Sequence, residues 1–119
     1  MFDLRFAPHF IRFNNANTVW PDVDISETAD NYLFKFEIPG MLKDDIKIWL
    51  ENKTLTVSGE KKIPDNSERL IAERNFGKFE RSFKLPETVD RDKVSAELVD
   101  GVLAITLLKV KVASEISIN

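Results

Sequence analysis

Residues able to carry out covalent or metal chemistry are few in this 119-residue sequence. It contains no cysteine and a single histidine, His9. A thiol nucleophile, a thiolate metal site and a histidine metal cluster within one chain are therefore excluded, and a Ser-His-Asp triad is disfavoured. No glycine belongs to a phosphate-binding loop of the GxxxxGK[ST] or GxGxxG type; the glycines are Gly40, Gly59, Gly77 and Gly101.

Carboxylates are plentiful, with 20 aspartates and glutamates. Paired carboxylates act as acid and base in glycosidases, and counting residues alone does not exclude such an enzyme. The closely spaced acidic pairs, however, lie where a turn or a solvated face explains them: Asp22/Asp24, Asp44/Asp45 and Glu87/Asp90. We therefore predict a protein that is not an enzyme and uses no cofactor and no metal ion.

Composition indicates one domain with short extensions, 43% hydrophobic and 31% charged. The net charge of -3 disfavours nucleic acid as the main partner. No apolar run approaches the roughly 18 residues that span a bilayer. The N-terminus also lacks the apolar core and cleavage site of a secretion signal, so we expect a cytoplasmic protein.

The stretch 94–107 holds the clearest structural signal, because Asp100-Gly101 lies in its middle. An Asp-Gly pair favours a type I′ hairpin turn, in which both residues need positive φ. A two-residue turn here brings apolar residues opposite each other on one face. These pairs are Val94 with Leu107, Ala96 with Ile105 and Leu98 with Leu103.

A second hairpin is predicted over residues 46–60, with Asn52-Lys53 as its turn. Its apolar face contains the pairs Ile46/Gly59, Ile48/Val57 and Leu50/Leu55. Trp49 falls on the outward face, where it is either covered by a loop or a neighbouring subunit, or is part of an exposed binding patch. We favour coverage.

Two strands are predicted before this hairpin. Val23 and Ile25 alternate with aspartates, and Pro21 at the start indicates an edge strand. The next strand places four large apolar residues on one face: Tyr32, Phe34, Phe36 and Ile38. The predicted fold is all-β, an immunoglobulin-like antiparallel β-sandwich of about seven to eight strands over residues 20–108.

Residues 1–19 form a predicted N-terminal arm. Its spacing is helix-like, but Pro8 would break or kink a helix. The arm either docks on its own domain, contacts partner subunits and unfolded proteins, or lies on a membrane surface. We favour the second interpretation. The membrane interpretation is the weakest of the three, because the basic face is only two arginines wide. The candidate contact residues are Phe2, Leu4, Phe6, Phe10, Ile11 and Phe13.

Three sequence motifs lie in the predicted strands and in the tail. Residues 96–103 read Ala-x-x-x-x-Gly-Val-Leu, and residues 77–86 read Gly-x-Phe-x-Arg-x-Phe-x-Leu-Pro. Residues 116–118 read Ile-x-Ile. Together, these motifs resemble the alpha-crystallin domain and tail of small heat-shock proteins, in the bacterial and plant branch of that family.

The resemblance implies an ATP-independent chaperone that holds partly unfolded proteins and prevents their aggregation. It also implies a homo-oligomer built from dimers. The physical basis would be apolar surface that is hidden in the assembly and exposed when subunits or arms detach. The arm of this chain is short for the family.

The resemblance also implies a dimer interface containing Leu70, Ile71 and Arg81. Leu70-Ile71 would form a short strand within the loop 61–72 and pair with the partner subunit; the alternative is a mobile surface loop. Arg81 alternates with Phe79 and Phe83, so it needs a carboxylate or a route to water. It is either an ion-pair position of the interface or a rim arginine, and the sequence does not name its acidic partner.

The tail, residues 109–119, carries the anchor residues Ile116 and Ile118. In an extended segment they project to the same side and can enter a groove on a neighbouring subunit. Candidate groove residues are Ile46, Ile48, Trp49, Val94, Ala96 and Leu98.

Two other functions compete with the chaperone. A CS-domain-like co-chaperone module would use a similar sandwich to bind a larger chaperone, but it needs neither the Ile-x-Ile anchor nor the loop containing Leu70-Ile71. An immunoglobulin-like adhesion domain is disfavoured by the missing cysteines and secretion signal.

Overall fold

The computed structural model of the chain describes residues 2–3, 20–63, 65, 67–111 and 118. These residues contain β-strands and one 3-10 helix, Lys43–Asp45. The strands are β1 (Phe2–Asp3), β2 (Val23–Glu27), β3 (Asn31–Glu37), β4 (Ile46–Glu51), β5 (Thr54–Lys61), β6 (Gly77–Lys84), β7 (Val89–Val99) and β8 (Val102–Lys109).

The strands form two four-stranded sheets. Sheet A has the order β1-β6-β5-β4, and sheet B has the order β2-β3-β8-β7. Neighbouring strands are antiparallel except β1 and β6, which are parallel. The predicted all-β sandwich is confirmed.

The hairpin of β7 and β8 has the predicted register, with Val94 opposite Leu107 and Leu98 opposite Leu103. Both turn residues have positive φ, 52° at Asp100 and 77° at Gly101. Gly101 is also required by a close approach, because a Cβ there would lie 2.9 Å from the Cα of Pro39.

The hairpin of β4 and β5 also has the predicted register, with Ile48 opposite Val57. Its turn residues Asn52 and Lys53 have φ values of 50° and 63°. A lysine is uncommon in this conformation. Here the backbone is held in place, because the carbonyl of Lys53 accepts a hydrogen bond of 2.7 Å from the amide of Leu85.

The core lies between the sheets and is centred on aromatic rings. Phe34 and Phe36 of β3 are fully buried, as predicted for that face. Both pack edge-on against Phe83 of β6, with ring centres 5.2 and 6.0 Å apart. Strand β6 therefore lies over β3, which fixes the relative position of the two sheets.

The loop between β5 and β6 differs from the prediction. No strand forms in its described residues, which include Leu70 and Ile71. An isolated strand leaves its backbone groups without partners, so a segment of this kind becomes a strand only beside another strand. The described residues provide none at this position.

Candidate functional site

Arg81 lies on the inner face of sheet A, opposite Val57, and is half-buried. Its Nη1 donates a hydrogen bond of 2.9 Å to the carbonyl of Pro21. The guanidinium carbon lies 5.2 Å from the centre of the Phe83 ring. Arg81 thus connects β6 of sheet A to the segment that leads into β2 of sheet B.

Asp22 supplies an opposing charge close to this arginine. Burial lowers the pKa of Arg81, and the charge of Asp22 offsets part of that effect. A guanidinium nevertheless stays protonated in proteins. The cation at the rim of the sandwich is therefore stabilised by the segment 21–22 of its own chain.

Leu70 and Ile71 point away from the domain, with 95% and 78% of their surfaces exposed. Arg81, in contrast, faces the interior. The single chain therefore does not join these three predicted interface residues in one contact. Among the described residues, the pairing of β2 is with β3 alone, so β2 is an edge strand as predicted.

Strands β4 and β7 are edge strands of sheets A and B. Because β6 lies over β3, these two edges lie together at the side of the sandwich away from β1 and β2. Ile46 and Ile48 of β4 are partly buried against the core, as are Val94 and Leu98 of β7. Between these last two, Ala96 is exposed although Ile105, its cross-strand partner, is fully buried. The inner side of the β7 edge is therefore open to solvent above Ala96.

Trp49 does not belong to this surface, and its assignment to the groove is corrected here. It is paired with Thr56, one position out of phase with Ile48, and neighbouring residues of a strand point to opposite faces. On the outer face of sheet A its side chain is 42% exposed. The expected cover is not provided in full by the single chain.

The arm and the tail are described only in part. The backbone of Phe2–Asp3 pairs with Phe83–Lys84 at the edge of sheet A. Ile118 is 98% exposed. The remaining predicted contact residues lie outside the described residues: Leu4, Phe6, Phe10, Ile11, Phe13 and Ile116.

Lys109, which sequence reasoning missed, fixes the start of the tail. Its Nζ donates hydrogen bonds of 2.6 Å to Oε2 of Glu27 and 2.7 Å to the carbonyl of Thr28. The bond to Glu27 is the main cause of the raised pKa of Lys109. Val110 then donates to the carbonyl of Thr88 at 2.6 Å. These partners are distant in sequence, so no local pattern indicates them.

The described part of the chain lacks two other kinds of feature. It contains no group of three or more histidine, cysteine, aspartate or glutamate residues that could hold a metal ion. None of its helices is long and apolar enough to cross a membrane.

Comparison with known sequences identifies relatives over most of the chain. The model of the Hsp20/alpha crystallin family matches residues 24–119. Spore protein SP21 of Stigmatella aurantiaca is 40% identical over 111 residues, which cover 91% of this chain and 66% of the relative. The 22.7 kDa class IV heat shock protein of Pisum sativum is 45% identical over 91 residues, covering 73% and 46%. The chain therefore spans about half to two thirds of these relatives' lengths.

Solved structures agree with the sequence comparison. A small heat-shock protein from Xylella fastidiosa is similar with a TM-score of 0.76 and 30% identity, covering 84% of this chain and 94% of that one. HSP18.5 from E. histolytica gives a TM-score of 0.72 and 30% identity, covering 84% and 98%. The sandwich, the motifs on its strands and these matches show that this chain belongs to the Hsp20/alpha crystallin family.

Proposed function

We propose that this protein is an ATP-independent chaperone of the cytoplasm, which binds partly unfolded proteins under stress and prevents their aggregation. The observation that supports it best is apolar surface left exposed on a well-packed sandwich. Its exposed residues include Leu70 and Ile71 in the loop between β5 and β6, and Trp49 on the outer face of sheet A. Unfolded chains expose apolar segments of their own, and contact between the two removes both from water.

The chaperone is proposed to work as a homo-oligomer built from dimers. Among the described residues, β2 is paired on one side only, and an open strand edge readily accepts another strand. In a dimer, Leu70-Ile71 of one subunit would pair with this edge of its partner. The position of Arg81 supports a dimer interface at β2, because its guanidinium donates a hydrogen bond to the carbonyl of Pro21, just before that strand.

The tail is proposed to connect one dimer to the next. Ile116 and Ile118 would enter the open edge between β4 and β7, which contains Ile46, Ile48, Val94, Ala96 and Leu98. Fully burying two isoleucines contributes roughly 3–6 kcal/mol, part of which is lost in ordering the tail. One tail is therefore a weak contact, and a stable assembly needs several tails bound at once.

Neither alternative function gains support. The family match extends over residues 24–119, and thus includes both the loop and the tail. A CS-domain-like co-chaperone needs neither of these segments, and an adhesion domain has no use for them. The chaperone proposal assigns a role to both the loop and the tail.

Chaperone activity is tested by light scattering of a heat-labile protein in ATP-free buffer. We expect suppression of scattering by the full chain. Deletion of residues 1–17 should weaken it, because the arm carries four of the nine phenylalanines. Circular dichroism provides the control that the sandwich stays folded. Equal suppression by the folded truncated protein would exclude a role of the arm, and no suppression by the full chain would exclude the chaperone.

Arg81→Met tests the proposed role of the arginine at the β2 edge. The variant loses a charged hydrogen bond to Pro21, so we expect the free energy of unfolding to fall by about 1–3 kcal/mol. We also expect dimers to dissociate at higher protein concentration. Chemical denaturation and sedimentation measure the two effects. Lys84→Met, an exposed change on the same strand, is the matched control; equal results for both variants would make Arg81 an ordinary surface residue.

The double variant I116A/I118A tests the tail. It removes most of the apolar side-chain area of the anchor, so we expect larger assemblies to fall to dimers with an unchanged far-UV circular dichroism spectrum. Analytical ultracentrifugation over a dilution series measures the mass. S114A/S117A alters the same tail without removing apolar area, and should keep the parent mass. An unchanged mass for I116A/I118A would contradict the proposed anchor.

A further inference from the structure

Three cations surround one aromatic ring where β5 ends and β6 begins. Lys61 Nζ lies 5.4 Å from the centre of the Phe76 ring. The guanidinium carbons of Arg69 and Arg74 lie 5.3 and 5.1 Å from the same centre. Cations are attracted to aromatic rings at such distances, so the half-buried Phe76 holds the three side chains together.

The fold separates the charges of this segment. Residues 60–77 contain four cationic and four acidic residues and are neutral as a whole. A cavity of about 600 Å³ lies beside the Phe76 ring, and its walls include all four cations but only one acidic residue, Glu60. The cations are Lys61, Lys62, Arg69 and Arg74. A strongly positive cavity thus exists in a chain whose net charge is -3.

The positive charges around the ring are compensated only in part by nearby carboxylates. Lys61 is only 9% exposed, and its pKa is lowered by burial and by the charge of Arg74. None of the three cations forms an ion pair with another described residue. Asp65 is near enough to Arg69 to feel its charge, but its carboxylate accepts hydrogen bonds from Ser67.

We propose that this cavity binds a small anion carrying phosphate groups. The two guanidinium groups supply planar pairs of donors that match phosphate oxygens, and the lysines add point charges. Because three cations converge on one ring centre, a compact ligand of high charge can reach all of them. An extended acidic peptide spreads its charges along the chain and matches this arrangement less well. The cavity volume lies within the range of small-molecule sites.

Binding is tested by calorimetric titration of the full-length protein with pyrophosphate. R69Q/R74Q should bind at least tenfold more weakly than the parent. The matched control is R91Q/K93Q, which removes the same charge from exposed positions on β7, outside the cavity. It should bind within about twofold of the parent. The site shares the loop of residues 67–76 with the proposed dimer interface, so sedimentation of each variant is measured alongside to separate loss of binding from loss of the dimer. Light scattering in phosphate-free buffer tests the chaperone activity separately.

Three results would overturn the proposal. They are no binding of millimolar pyrophosphate by the parent, an equal loss in both double variants, and tighter binding of a penta-glutamate peptide than of pyrophosphate. Phe76→Leu provides a second test that leaves every charge in place. It should weaken binding several-fold, because the cations lose the ring that positions them, and unchanged binding would exclude that role of Phe76.

Discussion

The packing of Phe83 between the two sheets is the interaction on which the rest of this structure depends. Its ring meets Phe34 and Phe36 edge-on, a favourable geometry for aromatic pairs. This contact lays β6 over β3 and thereby brings the edge strands β4 and β7 to the same side of the sandwich. Arg81 lies two residues before Phe83 and therefore on the same face of β6. Its side chain reaches the carbonyl of Pro21 at the rim of the sandwich. Within the described part of the chain, no further strand covers the side that β4 and β7 share.

A core of this kind leaves the edges to carry out function. Residues such as Ile48 and Leu98 contribute to the core with one side and remain accessible with the other. Under the proposed function, the domain stays folded while its edges exchange one apolar partner for another, whether a tail, a neighbouring strand or an unfolded chain. This division between a stable interior and exchangeable edges is the physical basis of the proposed chaperone.

Local chemistry made much of the fold predictable, and distant contacts made the rest unpredictable. Asp100-Gly101 and Asn52-Lys53 determine their hairpins within a few residues, so turn type and alternation were sufficient. The contact of Arg81 with Pro21 joins residues 60 positions apart, and that of Lys109 with Glu27 joins residues 82 apart. No sequence pattern reports such pairs. Leu70-Ile71 was expected to form a strand beside a partner subunit, and none of the residues described in the single chain supplies the neighbouring strand that it requires.

The most direct test of this account is hydrogen–deuterium exchange at individual amides, measured across a dilution series and then with a heat-unfolded client protein. The account predicts that amides of β2 and of residues 67–76 are protected in the assembly and lose protection on dissociation. They should regain protection when the client is bound, while the core strands β3 and β8 stay protected throughout. Equal exchange of β2 and residues 67–76 in assembled and dissociated protein would contradict the claim that assembly hides the surface that clients use.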